Sequence, residues 1–191
     1  MSALQDCEAV VHAFLGQPVN SLTTLAFVAG GVLIMTRSSM TWVGIASIAT
    51  GGGSFLFHGP MPPNGEWVHD VTLAWLLLVV AAHGRSWERW AHIPGLVVVG
   101  VLVLIPGAAD PVGVALAALA IVLLFLSDRS MSTLGPLALL VTVAIIGRLG
   151  STGGPLCDPA SVWQPHGLWH VGAAAAVTWW ALARPIPGSR A

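Results

Sequence analysis

The sequence predicts an all-α integral membrane protein of seven transmembrane helices, a single domain over residues 1–191, and three observations predict it. The first is composition: 55% of the chain is apolar, 8% is charged and the mean hydropathy is +0.83, against roughly 25% charged in a soluble domain. The second is that the apolar residues come in seven runs separated by polar or Pro/Gly breaks. The third is that the basic residues cluster at alternate breaks. A chain built this way has lipid for its solvent.

A helix needs about 20 residues to cross the hydrocarbon, range ~17 to 25, so this length holds about seven crossings and no second domain. The runs are Val19–Met35, Thr41–Phe57, Val68–Ala82, Ile93–Ala109, Val112–Leu126, Leu134–Leu149 and Leu168–Ala183. Several are short and complete a crossing only by recruiting flanking polar residues such as His166. Between the fifth and sixth runs the loop Ser127–Thr133 is the clear interruption. The first twenty residues carry Asp6 and Glu8, no basic residue and no apolar stretch with a small-residue cleavage site, so no removable signal peptide is expected. The formal net charge of -1 names no partner, and without a basic stripe the sequence argues against nucleic-acid binding.

All seven basic residues are arginine, and Arg37, Arg85, Arg89, Arg129, Arg184 and Arg190 fall in the first, third and fifth loops and the C-terminal tail. Positive residues are retained on the cytoplasmic side, which predicts an N-terminus outside and a C-terminus in the cytoplasm. Arg148 alone sits near the outer face, where it either snorkels to phosphates or meets a substrate headgroup. Cys7 and Cys157, the only cysteines, both fall outside, where a disulfide can form. The alternative is a pair of buried thiols.

Ionisable residues inside a span are costly and are functional candidates by default. Ser54-Phe-Leu-Phe-His58 closes the second helix, Glu66-Trp-Val-His-Asp70 opens the third and His166-Gly-Leu-Trp-His170 opens the seventh. Alternating helix direction brings these three groups to one membrane depth, near the outer face. Residues four apart share a helix face, so His166 and His170 can aim at one point, and His58 supplies a third imidazole. A three-histidine zinc site leaves a fourth position to water and lowers its pKa from ~15.7 to about 7. Asp70 is then the candidate general base and Ser54 the candidate donor to a developing oxyanion. Each residue has a blander reading: interhelical hydrogen bonding for the histidine pair, packing for Ser54, interfacial anchoring for Asp70. His69 is open between replacing a ligand and supporting one, and His12, His83 and His92 lie at helix ends facing headgroups or solvent.

The set Ser54-x-x-x-His58, Asp70 and His166-x-x-x-His170 resembles the alkaline ceramidase family, within the superfamily of seven-helix membrane hydrolases that includes the progestin and adipoQ receptors. Asp6-Cys7-Glu8 and Gln17-Pro-Val-Asn20-Ser21 are similar to that family's N-terminal stretches. The resemblance implies zinc on His58, His166 and His170, an active site completed by Ser54 and Asp70, and hydrolysis of the amide between a sphingoid base and a fatty acid. The outward N-terminus also matches the ceramidase branch. Members from eukaryotes bind calcium through an acidic N-terminal cluster, but Val10 and Gln17 stand here where an amide and an acidic ligand would align, which speaks against calcium. The minimal loops leave the substrate open between ceramide and another N-acyl lipid. Phe55, Phe57, Trp67, Trp75 and Trp169 either line an acyl cleft or belong to packing and the interfacial belt.

Other functions compete with a hydrolase: a non-catalytic lipid-binding or receptor-like protein with a structural zinc, a haem or transport protein with axial histidines, and a proton-relay transporter. The last calls for further carboxylates in mid-membrane, and the other runs have none. The lack of lysine beside abundant Ala, Val, Gly and Arg points to a bacterial cell membrane.

Overall fold

Every regular element among the described residues is helical. The computed structural model describes residues 6–184, apart from the side chains of Pro94, Leu96, Val103 and Pro106; Arg190 lies outside them. Helix α1 (Pro18–Thr23) opens on proline, whose missing N–H is no loss in a first turn. Through Thr24 it runs into α2 (Leu25–Arg37), and α3 (Thr41–His58), α4 (Gly65–Ala82), α5 (His92–Leu104), α6 (Ala109–Ser127), α7 (Met131–Leu149) and α8 (Pro165–Leu182) follow.

Each of the seven apolar runs forms a helix, with one adjustment. The fourth run is cut at Ile105, and a single 3-10 turn at Pro106–Ala108 separates α5 from α6, because a proline cannot donate the next helical bond. Four stretches, Pro18–Arg37, Gly65–Ala82, Ala109–Ser127 and Met131–Leu149, are long and apolar enough to cross a membrane. Helices α3 and α8 are also 18 residues long but dilute their apolar residues with histidine and glycine. Within Ala109–Ser127 only 6% of the apolar window is buried inside the protein, leaving Val114 and Leu126 exposed. An apolar face left so open suits lipid contact.

Helix α2 packs on α3 and α8, α3 on α4, α8 on α7, and α4 on α5 and α6. Phe27, Ile34, Val43, Leu76, Val80 and Trp180 belong to the buried core between them. Close packing of small residues draws the helices together, since lipid gives them no hydrophobic reason to associate. A Cβ on Gly31 would stand 2.6 Å from the Gly44 carbonyl oxygen, and one on Gly44 would stand 2.8 Å from that of Gly31. Gly53 does the same between α3 and α4, where an added Cβ would come within 3.2 Å of the His69 Cα. The backbone of α3 therefore passes beside the first turns of α4 just before His58.

The bundle has two polar ends. One carries the C-terminus of α3 and the N-termini of α1, α4 and α8, with Cys7 joined to Cys157 by the expected disulfide at a Cα–Cα distance of 5.5 Å. The other carries Arg37, Arg85, Arg129 and Arg184 beside the C-termini of α2, α4, α6 and α8.

Candidate metal centre

Three histidines meet at the first of these ends. His58 is the last residue of α3, and His166 and His170 lie one turn apart at the start of α8. Their ring centroids are 4.5 to 5.2 Å apart, and each ring offers a nitrogen within 4.8 Å of those of the other two. His58 and His170 are almost wholly buried.

The partners of the outer ring nitrogens fix how the rings are protonated. His58 Nδ1 lies 2.7 Å from Gln17 Oε1; because the Gln17 amide nitrogen donates to the Glu8 carbonyl at 2.9 Å, its oxygen faces the ring and accepts. His170 Nδ1 lies 3.2 Å from Thr23 Oγ1. That hydroxyl spends its one proton on the carbonyl of Val19 or Asn20 and so accepts from the ring. His166 Nδ1 lies 3.3 Å from Asp6 Oδ1, and a carboxylate only accepts. His58 and His170 thus carry their proton on Nδ1 and a lone pair on Nε2, and Nδ1 of His166 faces the Asp6 carboxyl.

The three Nε2 atoms are buried and have no hydrogen-bond partner among the described residues. A buried ring nitrogen left unpaired costs free energy, and three of them in one cluster make no sense as packing. Together the three rings could hold a metal ion, with a carboxyl, an amide and a hydroxyl placed behind them as supporting groups. Asp6 adds the negative charge that a buried dication needs. Burial pushes its carboxyl up to about 7, a shift that a cation held by the rings would oppose.

No protein-family model matches this chain, and no curated protein matches it. The assignment of chemistry therefore rests on the residues themselves.

Ser54 is buried on α3, one turn before His58. Asp70 Oδ1 lies 2.9 Å from Nδ1 of its neighbour His69, whose ring stands 6.4 Å from that of His58 and 5.2 Å from that of Phe57. Of the residues singled out from sequence, the three zinc candidates come together, while Ser54 and the His69–Asp70 pair flank them.

Sequence reasoning did not find the supporting shell. Asp6 entered it only as an acidic N-terminal residue and in a resembling stretch, Gln17 only in such a stretch and as a mismatch to a calcium ligand, and Thr23 not at all. Thr23 gave no signal because a threonine in an apolar helix ordinarily just bonds its own i−4 carbonyl, which it also does here.

Proposed function

We propose that this protein is a zinc-dependent intramembrane hydrolase that cleaves the amide of ceramide or a related N-acyl lipid into a free fatty acid and an amine. The observation that carries the reading is the convergence of three buried, unpaired Nε2 atoms from His58, His166 and His170. A three-histidine set is the catalytic kind of zinc site, closed on the protein side and open to a reactant. Bound there, zinc supplies an acidified water and polarises a carbonyl.

The chain's own residues supply the rest. Asp70 holds the Nδ1 proton of His69, which leaves the far nitrogen of that ring basic; the pair is the proton acceptor, with Asp70 as its carboxylate and His69 as the group facing the triad. Ser54, from the same helix as His58, donates a hydrogen bond to the substrate carbonyl oxygen as negative charge builds on it. Phe57 packs on both His58 and His69 and keeps the pocket wall apolar, the environment in which these charge interactions are strongest.

The membrane placement follows from the arginine distribution. All seven helical rods cross the bilayer, the N-terminus and the metal centre face outward, and the C-terminus lies in the cytoplasm, in a bacterial cell membrane. The resemblance of Ser54, His58, Asp70, His166 and His170 to the alkaline ceramidases supports the choice of an N-acyl lipid over other esters and amides. Incubating the purified protein with a panel of N-acyl lipids and reading fatty acid by mass spectrometry tests this. Release is expected from at least one long-chain amide, abolished by a zinc chelator. Stoichiometric zinc with no release from any of them would favour a structural metal in a receptor-like protein.

A further inference from the structure

The segment before α1 carries more interactions than a terminal tail needs. Cys7, held at a positive φ of 67°, is bonded to Cys157, and its N–H donates to Thr152 Oγ1 at 3.2 Å. Ala9 N–H donates to the Pro159 carbonyl at 3.1 Å. These bonds tie the segment to the loop that leads into α8.

At its other end the same segment is tied to α1 and α3. The Glu8 carboxylate accepts from the N–H groups of Val19 and Asn20 at 2.7 and 2.8 Å, filling the first turn of α1 that Gln17 leaves uncapped. Gly16 and Gln17 donate their N–H groups to the carbonyls of Gly59 and His58, both at 2.8 Å. The strap is thus fastened to both helices that carry the histidines.

Between these anchors it presents two side chains to the triad. Asp6 Oδ1 lies 3.3 Å from His166 Nδ1 and its Oδ2 4.0 Å from His58 Nδ1, the latter oxygen with no hydrogen-bond partner among the described residues, and Gln17 Oε1 accepts from His58. Asp6 and Gln17 are both deeply buried, so their acceptors face the rings without competition from water. Both side chains meet the Nδ1 side of the rings, opposite the Nε2 atoms.

We propose that the disulfide-pinned strap from Asp6 to Gln17 is the outer coordination sphere of the metal centre, with Asp6 and Gln17 as positioning residues that fix the tautomer and aim of His166 and His58. This rests on the reading of the triad as a zinc site. It makes metal affinity depend on the Cys7–Cys157 bond, because that bond fixes the neighbour of Asp6 to the loop that opens α8. A reduced chain keeps its three ligands but loses the register of the groups behind them, and holds zinc less tightly.

The test is zinc affinity, read by chelator competition on purified full-length protein whose helicity is checked by circular dichroism. Losing a supporting partner costs a metal site about 10- to 100-fold in affinity, so Asp6→Leu, with near-equal volume and no acceptor, should weaken binding by that factor. Asp6→Asn keeps an acceptor oxygen and should restore most of the affinity, and oxidised protein should bind more tightly than reduced protein. If Asp6→Leu loses helicity, Gln17→Leu carries the same expectation, with Gln17→Glu as its conservative partner. Wild-type affinity in the leucine variant, or Asp6→Asn as weak as Asp6→Leu, overturns the strap's positioning role while leaving the zinc site intact. A wild-type protein that binds no zinc overturns both.

Discussion

The two ends of the bundle use polar residues on opposite terms. At the histidine end, Asp6, Glu8, Gln17, His58 and His170 are all buried, and bonds within the N-terminal segment combine with contacts from it to α3 and α8. At the arginine end, Arg85 donates to the Leu123 carbonyl and Ser127 Oγ at 2.8 and 2.9 Å. Arg184 reaches Thr133 Oγ1 at 2.9 Å and Asp128 Oδ2 at 3.4 Å. Most of these groups stay partly open to solvent. Exposed ion pairs contribute little to stability, whereas buried unpaired donors and acceptors are costly enough to demand a ligand. One end thus satisfies its polar groups close to solvent, and the other leaves three buried imidazole nitrogens open to a ligand.

The sharpest way to break this contrast is at the triad. His170→Ala should reduce zinc from one ion per chain to background and abolish turnover, checked by metal analysis and fatty-acid release. Stoichiometric zinc in that variant would remove His170 from the site. The equivalent change at the other end, Arg184→Ala, should leave both readings unchanged.

A change beside the metal should separate chemistry from binding. Asp70→Asn keeps shape but cannot draw the Nδ1 proton of His69 as a carboxylate does, so turnover should fall by roughly 10²- to 10⁴-fold with zinc retained. Loss of the metal would mean that the pair holds the site together instead of moving protons. Unchanged turnover would return Asp70 to the role of an interfacial anchor.

Next in size is the covalent tie. Replacing Cys7 and Cys157 with serine removes a link across 150 residues of sequence, and loss of a native disulfide costs about 2 to 5 kcal/mol. Thermal unfolding in detergent should record the drop, and a melting temperature equal to wild type would show the histidine end to be held by its hydrogen bonds alone.

The smallest effect belongs to the arginine end. Hydrogen bonds from Thr133 and Ser130, with Arg184 nearby, pull the Asp128 carboxyl down to about 2 from its ordinary 3.8. A depressed folded-state value means that the stabilisation is present above pH 3.8 and is lost as pH falls toward 2. Asp128→Asn should therefore be slightly less stable than wild type at neutral pH, with the difference vanishing across that acid window. A gap that persisted at the lowest pH would assign it to shape and not to charge.

The sequence disclosed one side of this comparison better than the other. Helical runs were legible because lipid demands continuous apolar stretches, and their ends because arginine and histidine fall at opposite breaks. The triad was legible because four-residue spacing and antiparallel helices fix depth without any knowledge of packing. What stayed hidden was the shell behind it: Gln17 and His58 are 41 positions apart and Thr23 and His170 are 147 apart, and no local period links them. The place of Asp70 was hidden for a related reason. Adjacent residues on a helix point about 100° apart, so whether His69 or Asp70 turns toward the triad depends on the rotation of α4, which the close approach of Gly53 to that helix sets.

The account stands on metal at the histidine end, and anomalous scattering at the zinc edge from crystals of the purified protein tests that most directly. It predicts a single strong peak bounded by Nε2 of His58, His166 and His170, with Asp6 behind the rings and outside bonding distance. A peak elsewhere, no peak in protein that hydrolyses N-acyl lipids, or Asp6 bound directly to the ion would contradict it.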